Sequence, residues 1–340
     1  MSLRIAVVIP VAVMTPKTAR CLDACSLLTY EPHAIAVVSD LPLAMPADAH
    51  FVNLVTGAGY LTSPAEKRDF ARTHLRFDAD AYAYLDDDAY PEPDWVERIA
   101  AALDAYPQAA GVAGPGLAAD DQRYWERVSA AALESWLGSG PLAFRFRREP
   151  ARWCDDFPAY NLTLRRSWLD ACGGWATDWY GGEDTELCAR IADAGALIRY
   201  EPGAAVFHNR RALLPHHAWQ IQNVGRSRGC FLRSGNPRYR KGSFAGPPAI
   251  VLAAAAMIAG PFVAGAFAPV ASAALLAAYG ATALFAHPRP LDWRVRLALP
   301  AAIVLQHAAY SAGLMRGLVT GRRRRARKPP MRQQHPSSSG

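Results

Sequence analysis

The chain has 340 residues, 51% hydrophobic and 20% charged, with 26 Pro and 25 Gly. That length suits one large or two ordinary domains, and the composition excludes a disordered polyelectrolyte and a fibrous repeat. Charge is uneven: residues 246–340 hold 11 basic residues and one acid, Asp292, whereas the rest of the chain is slightly acidic. Bases clustered behind a long apolar region point to a membrane surface as partner and away from nucleic acid.

The first stretch, MSLRIAVVIPVAVM, has one Arg, a short Val/Ile run ended by Pro10 and no small-residue cleavage site, so it reads as a buried strand and not a signal peptide. Ala34–Val38 is a second such run, ending at Ser39-Asp40. Helical spacing over 16–28, then a strand near 50–54, a helix over 64–76 and a strand over 81–86, predict a parallel α/β sheet. Ligands bind outside the carboxyl ends of such strands, where Asp40 and the run Asp86, Asp87, Asp88 fall.

From Ala159 to His208 the pattern shifts to short strands and helices, with the loop GGWATDWYGGED leading into the helix DTELCARIADAG. Gly246–His287 then runs 42 residues without Asp, Glu, Lys or Arg, about twice the ~20 residues of one membrane span. It predicts two transmembrane helices joined near Phe267-Ala268-Pro269. Bases on both flanks put both ends in the cytoplasm. Leu297–Val319 is basic at both ends and contains Gln306 and His307. It is expected to be an interfacial or re-entrant helix, because a third span would export the Arg-rich tail. Six cysteines, with neither CxxC nor zinc-finger spacing, read as reduced thiols facing a cytosol.

Three motifs carry chemistry. In YLDDDAYPEPDW (Tyr84–Trp95), three adjacent carboxylates repel one another unless a cation compensates. In an extended strand end Asp86 and Asp88 would face one ligand and Asp87 would face elsewhere; an acidic turn before a helix is the other reading. In GGEDTELCARI (Gly181–Ile191), Glu183 and Asp184 favour a helix start through its dipole, and could equally hold a general base at a cleft rim. In AAVFHNR (Ala204–Arg210), His208 ends an apolar strand, as a packed side chain or as the imidazole of an oxygen-rich metal site.

Taken in order, RIAVVIP, AVVSD, SPAEKRDFA, AYLDDDAYPEPDWVE, YNLTLRRSWLDACGGW, GGEDTELCARIADAG and YEPGAAVFH resemble the family 2 glycosyltransferases over about residues 3–235. The resemblance implies a GT-A fold, a Rossmann-like, mostly parallel α/β sheet, here followed by a C-terminal transmembrane helical hairpin. It divides the chain into a transferase domain (1–235), a basic juxtamembrane linker (236–245), two transmembrane helices (246–288), an interfacial or re-entrant helix (289–320) and an Arg-rich disordered cytoplasmic tail (321–340). It implies that Pro10 and Asp40 shape the nucleotide pocket, and that Asp86 and Asp88 bind the diphosphate and its Mg2+ or Mn2+. His208 is then a further metal ligand and Asp184, paired with Glu183, the general base. Asp87 joins the nucleotide-sugar site; Lys67 and Arg68 either assist its phosphates or form a solvated helix face, and Trp175, Trp179 and Tyr180 either offer faces to an acceptor sugar or pack within their loop.

The activity so implied is transfer of a sugar, with inversion, from a nucleotide-diphosphate sugar to a hydroxyl of a lipid-linked or other saccharide in cell-envelope glycan synthesis. The location implied is the plasma (inner) membrane with the catalytic domain cytoplasmic. QIQNVGR (Gln220–Arg226) lacks the QxxRW pattern of processive synthases, which favours adding one or a few sugars. Asp69 stands where many relatives have Asn. The alternatives are a polyprenyl-phosphate sugar synthase, whose ionised acceptor needs no base, and a non-catalytic membrane module with a degenerate fold. Oligomeric state is not legible in the sequence.

Overall fold

The computed structural model describes residues 3–30, 34–46, 50–175, 181–235, 242–263, 268–285 and 287–321. In chain order the elements are β1 (Ile5–Pro10), α1 (Pro16–Cys25), β2 (Ala34–Ser39), β3 (Phe51–Val55), α2 (Pro64–His74), β4 (Ala81–Leu85), β5 (Ala89–Pro91), α3 (Trp95–Ala105), β6 (Gly111–Ala113), β7 (Gly116–Ala118), α4 (Tyr124–Glu134), α5 (Trp136–Ser139), β8 (Arg152–Cys154), β9 (Asn161–Arg165), α6 (Arg166–Ala171), α7 (Glu183–Asp193), β10 (Ile198–Tyr200), β11 (Val206–His208), α8 (Ala218–Arg233), α9 (Gly246–Val263), α10 (Ala268–Phe285) and α11 (Trp293–Thr320). They pack as two compact units. The first comprises Met1–Leu117 and Arg148–His208, and the second Ala118–Arg147 and Asn209–Arg323. This division differs from the linear one at residue 235, because 118–147 and 209–235 pack with the C-terminal helices.

The first unit is built on an eight-stranded sheet of order β3-β2-β1-β4-β9-β6-β10-β8. Strands β3, β2, β1 and β4 are mutually parallel. β9 runs antiparallel between β4 and β6, and β10 is parallel to β6. Every residue of β1, β2 and β4 is buried, which accounts for their apolar runs: strands covered on both faces have no polar side. The chain winds from β1 through β2 to β3, then returns to β4 on the other side of β1. That reversal leaves a crevice outside the carboxyl ends of β1 and β4. Because Asn161 pairs with Leu85, the amino end of antiparallel β9 reaches the same edge. A small sheet, β5-β11-β7, lies beside it in the chain's path.

In the second unit, Val128, Ala131, Ala132, Leu213, Ala283, Val295, Leu299, Ala302 and Ile303 form a buried apolar cluster. α8 and α11 meet through glycines spaced four apart on each helix, Gly225 and Gly229 on one and Gly313 and Gly317 on the other. A Cβ on Gly229 would sit 2.1 Å from the Leu314 carbonyl oxygen, and one on Gly313 1.9 Å from that of Gln222. Only hydrogen side chains permit this approach, the small-xxx-small solution to close helix packing. Arg233 donates to the carbonyls of Leu318 and Val319, capping the last turn of α11.

α9 and α10 are apolar helices of 18 residues each, and Ala268 and Pro269, expected at the joint, open α10. Residues 297–319 belong to one continuous helix that contains Pro300 without breaking. Among the described residues, α11 is the one helix long and apolar enough to cross a membrane, by length and composition alone. Linker residues 236–241, the joint at Phe267 and the tail from 322 lie outside the described residues.

Candidate active site

α2 sets one wall of the site. Ser63 caps it, accepting from the Glu66 amide, while the Glu66 carboxylate accepts from the Ser63 amide, and Pro64 fills the first turn. With the helix start fixed, Lys67 and Arg68 are both buried against the unit. The Lys67 ammonium donates to Asp40 Oδ2 at 2.6 Å and to Thr62 Oγ1 at 2.8 Å. Asp40 also accepts from the hydroxyls of Thr56 (2.9 Å) and Thr62 (2.5 Å). Burial alone would raise the Asp40 carboxyl. The hydrogen bonds and charge of Lys67, with those of Thr62 and Thr56, outweigh it and hold the group below the usual carboxylate range. Both side chains are only 3% exposed. The two residues expected at the nucleotide pocket therefore pair with each other.

Arg68 sits between two acidic motifs. Its guanidinium donates to Asp86 Oδ1 at 2.8 Å, stands 4.0 Å from Glu183 Oε1 and lies 4.9 Å over the Trp175 ring. One cation thus joins the DDD motif to the acidic start of α7. Trp175 is 1% exposed, its edge against Tyr84, so the expectation that it stacks on an acceptor sugar is corrected: its faces are spent on packing. Trp179 and Tyr180 lie outside the described residues. Asp69, where many relatives have Asn, accepts from Arg72 and from the Trp175 amide, tying α2 to the loop before α7.

The three aspartates follow a turn closed by the Ala89 amide and the Asp86 carbonyl, not an extended strand end. The outcome matches the alternation expected: Asp86 and Asp88 converge and Asp87 turns away to accept from Thr18 in α1. Burial, then the charges of Asp88 and Asp86, push the Asp87 carboxyl up to about 7. β11 pairs antiparallel with β5, with His208 opposite Ala89, and this register carries the imidazole to Asp88, Nε2 3.0 Å from Oδ1. The Tyr160 ring stacks on that imidazole at 4.9 Å, a contact the sequence signalled only by an aromatic beside Asn161.

Asp86, Asp88 and His208 each offer one ligand atom, all within 4.8 Å of one another. Two hard carboxylates and an imidazole suit Mg2+ or Mn2+, with positions left for phosphate oxygens and water. Asn161, missed as a positioning residue, holds this corner together: its amide accepts from Trp95 Nε1 at 2.9 Å and donates to the Ala204 carbonyl at 2.8 Å, upstream of His208.

α7 starts at Gly182, whose φ of 92° favours glycine, and its first turn holds Glu183, Asp184 and Glu186. Burial, then the charge of Asp184, raise the Glu183 carboxyl, with Arg68 opposing; its Oε2 is buried with no hydrogen-bond partner. Asp184 Oδ1 accepts from the Thr185 amide. Pro10 ends β1 at the crevice, buried beside Val38.

Two pre-mycofactocin glycosyltransferases, from two strains of Mycobacterium tuberculosis, are 32% identical to this chain over 139 residues, covering 40% of it. The match spans 28% of the length of these curated relatives. The structure is similar to a mannosyltransferase from Pyrobaculum calidifontis, PcManGT, solved in complex with GDP-Man and Mn2+. The TM-score is 0.57 at 20% identity, covering 91% of this chain and 87% of that one, a likeness of fold. Residues 83–286, more than half of the chain, match the family described as Glycosyl transferase family group 2. With a GT-A fold and the DDD, ED and His motifs gathered around one crevice, the chain belongs to that glycosyltransferase family.

Proposed function

We propose that the chain is an inverting, Mg2+- or Mn2+-dependent transferase that moves a sugar from a nucleotide-diphosphate sugar to a hydroxyl of a lipid-linked saccharide. In this reading it works non-processively in cell-envelope glycan synthesis at the cytoplasmic face of the plasma (inner) membrane. The observation that carries the reading is the convergence of Asp86, Asp88 and His208 in one ligand set that Arg68 links to the start of α7.

The residues divide the work. Asp86, Asp88 and His208 would hold the metal, which when bound supplies a Lewis acid for the negative charge developing on the departing diphosphate. Asp184 takes the proton of the attacking hydroxyl, and displacement from the side opposite the leaving group inverts the anomeric carbon. Glu183, beside Arg68, positions the first turn of α7 and adds a second carboxylate whose proton affinity is raised by burial and by the charge of Asp184. Two carboxylates here favour a hydroxyl acceptor over a lipid phosphate, which is ionised already. The 42-residue stretch without Asp, Glu, Lys or Arg that holds α9 and α10 supports a membrane hairpin.

The test is thermal stabilisation of detergent-purified protein by UDP, GDP, dTDP and CDP, each with Mn2+ or EDTA, in wild type and Asp88→Asn. A ligand that binds the folded state alone raises the melting temperature by mass action. One nucleotide should stabilise in a metal-dependent way, and Asp88→Asn should abolish the effect. Folded protein indifferent to all four would overturn the reading.

A further inference from the structure

α11 carries apolar residues on both its inner and outer faces, with two polar residues turned inward. Gln306 Nε2 donates to the Gly138 carbonyl at 2.9 Å, Gln306 Oε1 pairs with His217, and His307 Nε2 pairs with the Leu137 carbonyl at 2.8 Å. Val295, Leu299, Ile303 and Leu314 are buried on the inner face, and a second set of large apolar residues points out. Trp293 is 65% exposed, Leu297 61%, Met315 58% and Val319 71%, with Val304 at 39%. At 3.6 residues per turn these five fall within about 80° of one another, a single stripe along the whole helix. A soluble helix puts its polar stripe there, and an exposed apolar face of this extent marks a contact surface.

Charge says what covers it. Arg294 and Arg316 flank the stripe, both exposed, with Arg296 half-buried, and residues 322–332 add seven more bases in sequence. An apolar stripe bracketed by arginines complements an anionic lipid surface, the arginines reaching the headgroups as the stripe enters the acyl boundary.

Packing decides between lying in the interface and crossing it. The inner face of α11 rests on the α4–α5 segment and then on α8, with α10 alongside: Tyr124 donates to the Arg294 carbonyl, Tyr279 donates to the Pro300 carbonyl, Leu299 and Ile303 join Val128, Ala131 and Ala283, and Gly313 and Gly317 meet α8. These partners carry Glu126, Arg127, Arg226 and Arg228. A transmembrane α11 would draw those charges into hydrocarbon; an in-plane one leaves them on the water side, together with its own two basic ends. We propose that α11 lies in the plane of an anionic lipid surface, its outward stripe immersed and its inner face on the protein. The inference deepens the membrane part of the proposed function and is independent of the transfer chemistry.

The test is site-directed spin labelling at Leu297, Val304 and Met315, one cysteine at a time, with Cys154 and Cys172 changed to Ser. The full chain is reconstituted in phosphatidylcholine vesicles containing phosphatidylglycerol. Depth is read from the ratio of oxygen to nickel-chelate accessibility, and metal-dependent nucleotide stabilisation checks that each labelled protein is intact. The three labels should lie at one depth, about 5–10 Å below the headgroups. A span would put Val304 near the bilayer centre, ~15 Å deep, with the other two shallower, and would overturn the proposal. So would three labels fully accessible to nickel. Without phosphatidylglycerol, all three should move toward water; unchanged depths would refute the anionic requirement. Equal depths in protein that binds no nucleotide would uphold the lipid surface while removing the transferase reading.

Discussion

Lys67→Met isolates the buried pair beneath the nucleotide end of the sheet. In the wild type the ammonium lies 2.6 Å from Asp40 Oδ2, both side chains 3% exposed, and it is the one cation among that carboxylate's described hydrogen-bond partners. Met keeps much of the volume, so little of the cost comes from a cavity. The cost is a carboxylate left buried with hydroxyl and amide partners alone, and removing one member of a buried pair costs about 3–5 kcal/mol. For a chain of this size that corresponds to a fall in melting temperature of roughly 6–20 °C.

The pH dependence carries the sign. In the wild type the Asp40 carboxyl is held below its ordinary range, so its contribution is present above the unfolded value, near ~4, and is lost as pH falls through the folded value. In Lys67→Met burial acts unopposed by the ammonium and raises the carboxyl, so the variant loses stability as pH rises. The gap between the two proteins should be widest near pH ~8 and shrink toward pH ~5, and adding Asp40→Asn should recover part of it. Thermal melts followed by tryptophan fluorescence measure this. A gap under ~2 °C at the higher pH, or the same gap at both, would refute the assignment of this pair as a buried, mutually dependent one.

Asn161→Leu should cost roughly 2–6 kcal/mol in denaturant titration, since it strands the Trp95 indole N–H and the Ala204 carbonyl, each worth about 1–3 kcal/mol when buried unpaired. It should also weaken Mn2+ stabilisation, because Ala204 leads into the strand that carries His208. Gly229→Leu should disrupt the α8–α11 pair, its Cβ landing 2.1 Å from a backbone oxygen, whereas Gly242→Ala, with nothing within 4 Å, should melt as the wild type does. Limited proteolysis between α8 and α11 reads the difference, and equal resistance in the two variants would refute the packing.

The order of strands and helices through β4, the acidic run Asp86–Asp88 and the apolar helices after residue 245 were legible because each is a local pattern. A fully buried strand is an unbroken apolar run, a capping box announces α2, and a 42-residue stretch without charge has few fates. Family motifs in a fixed order added the fold class, since a motif set constrains the chain between its members. Boundaries shifted by a few residues, as at α1, which ends at Cys25 where helical spacing ran on to 28.

What the sequence could not supply was pairing. Lys67 and Arg68 are adjacent in one helix and look equivalent as a basic couple. The tertiary structure sends one to Asp40 and the other to Asp86 and Glu183, because neighbouring positions on a helix point about 100° apart. Trp175 read as a free aromatic face until its burial against Tyr84 was known. The glycines of α8 and α11 carry no signal separately, and become a packing surface only when two helices far apart in the chain are brought face to face. Composition and motif order determined the family and its chemistry class, which depend on residue types. Which side chain meets which, and which face of α11 is left outward, depended on long-range packing that local patterns do not encode.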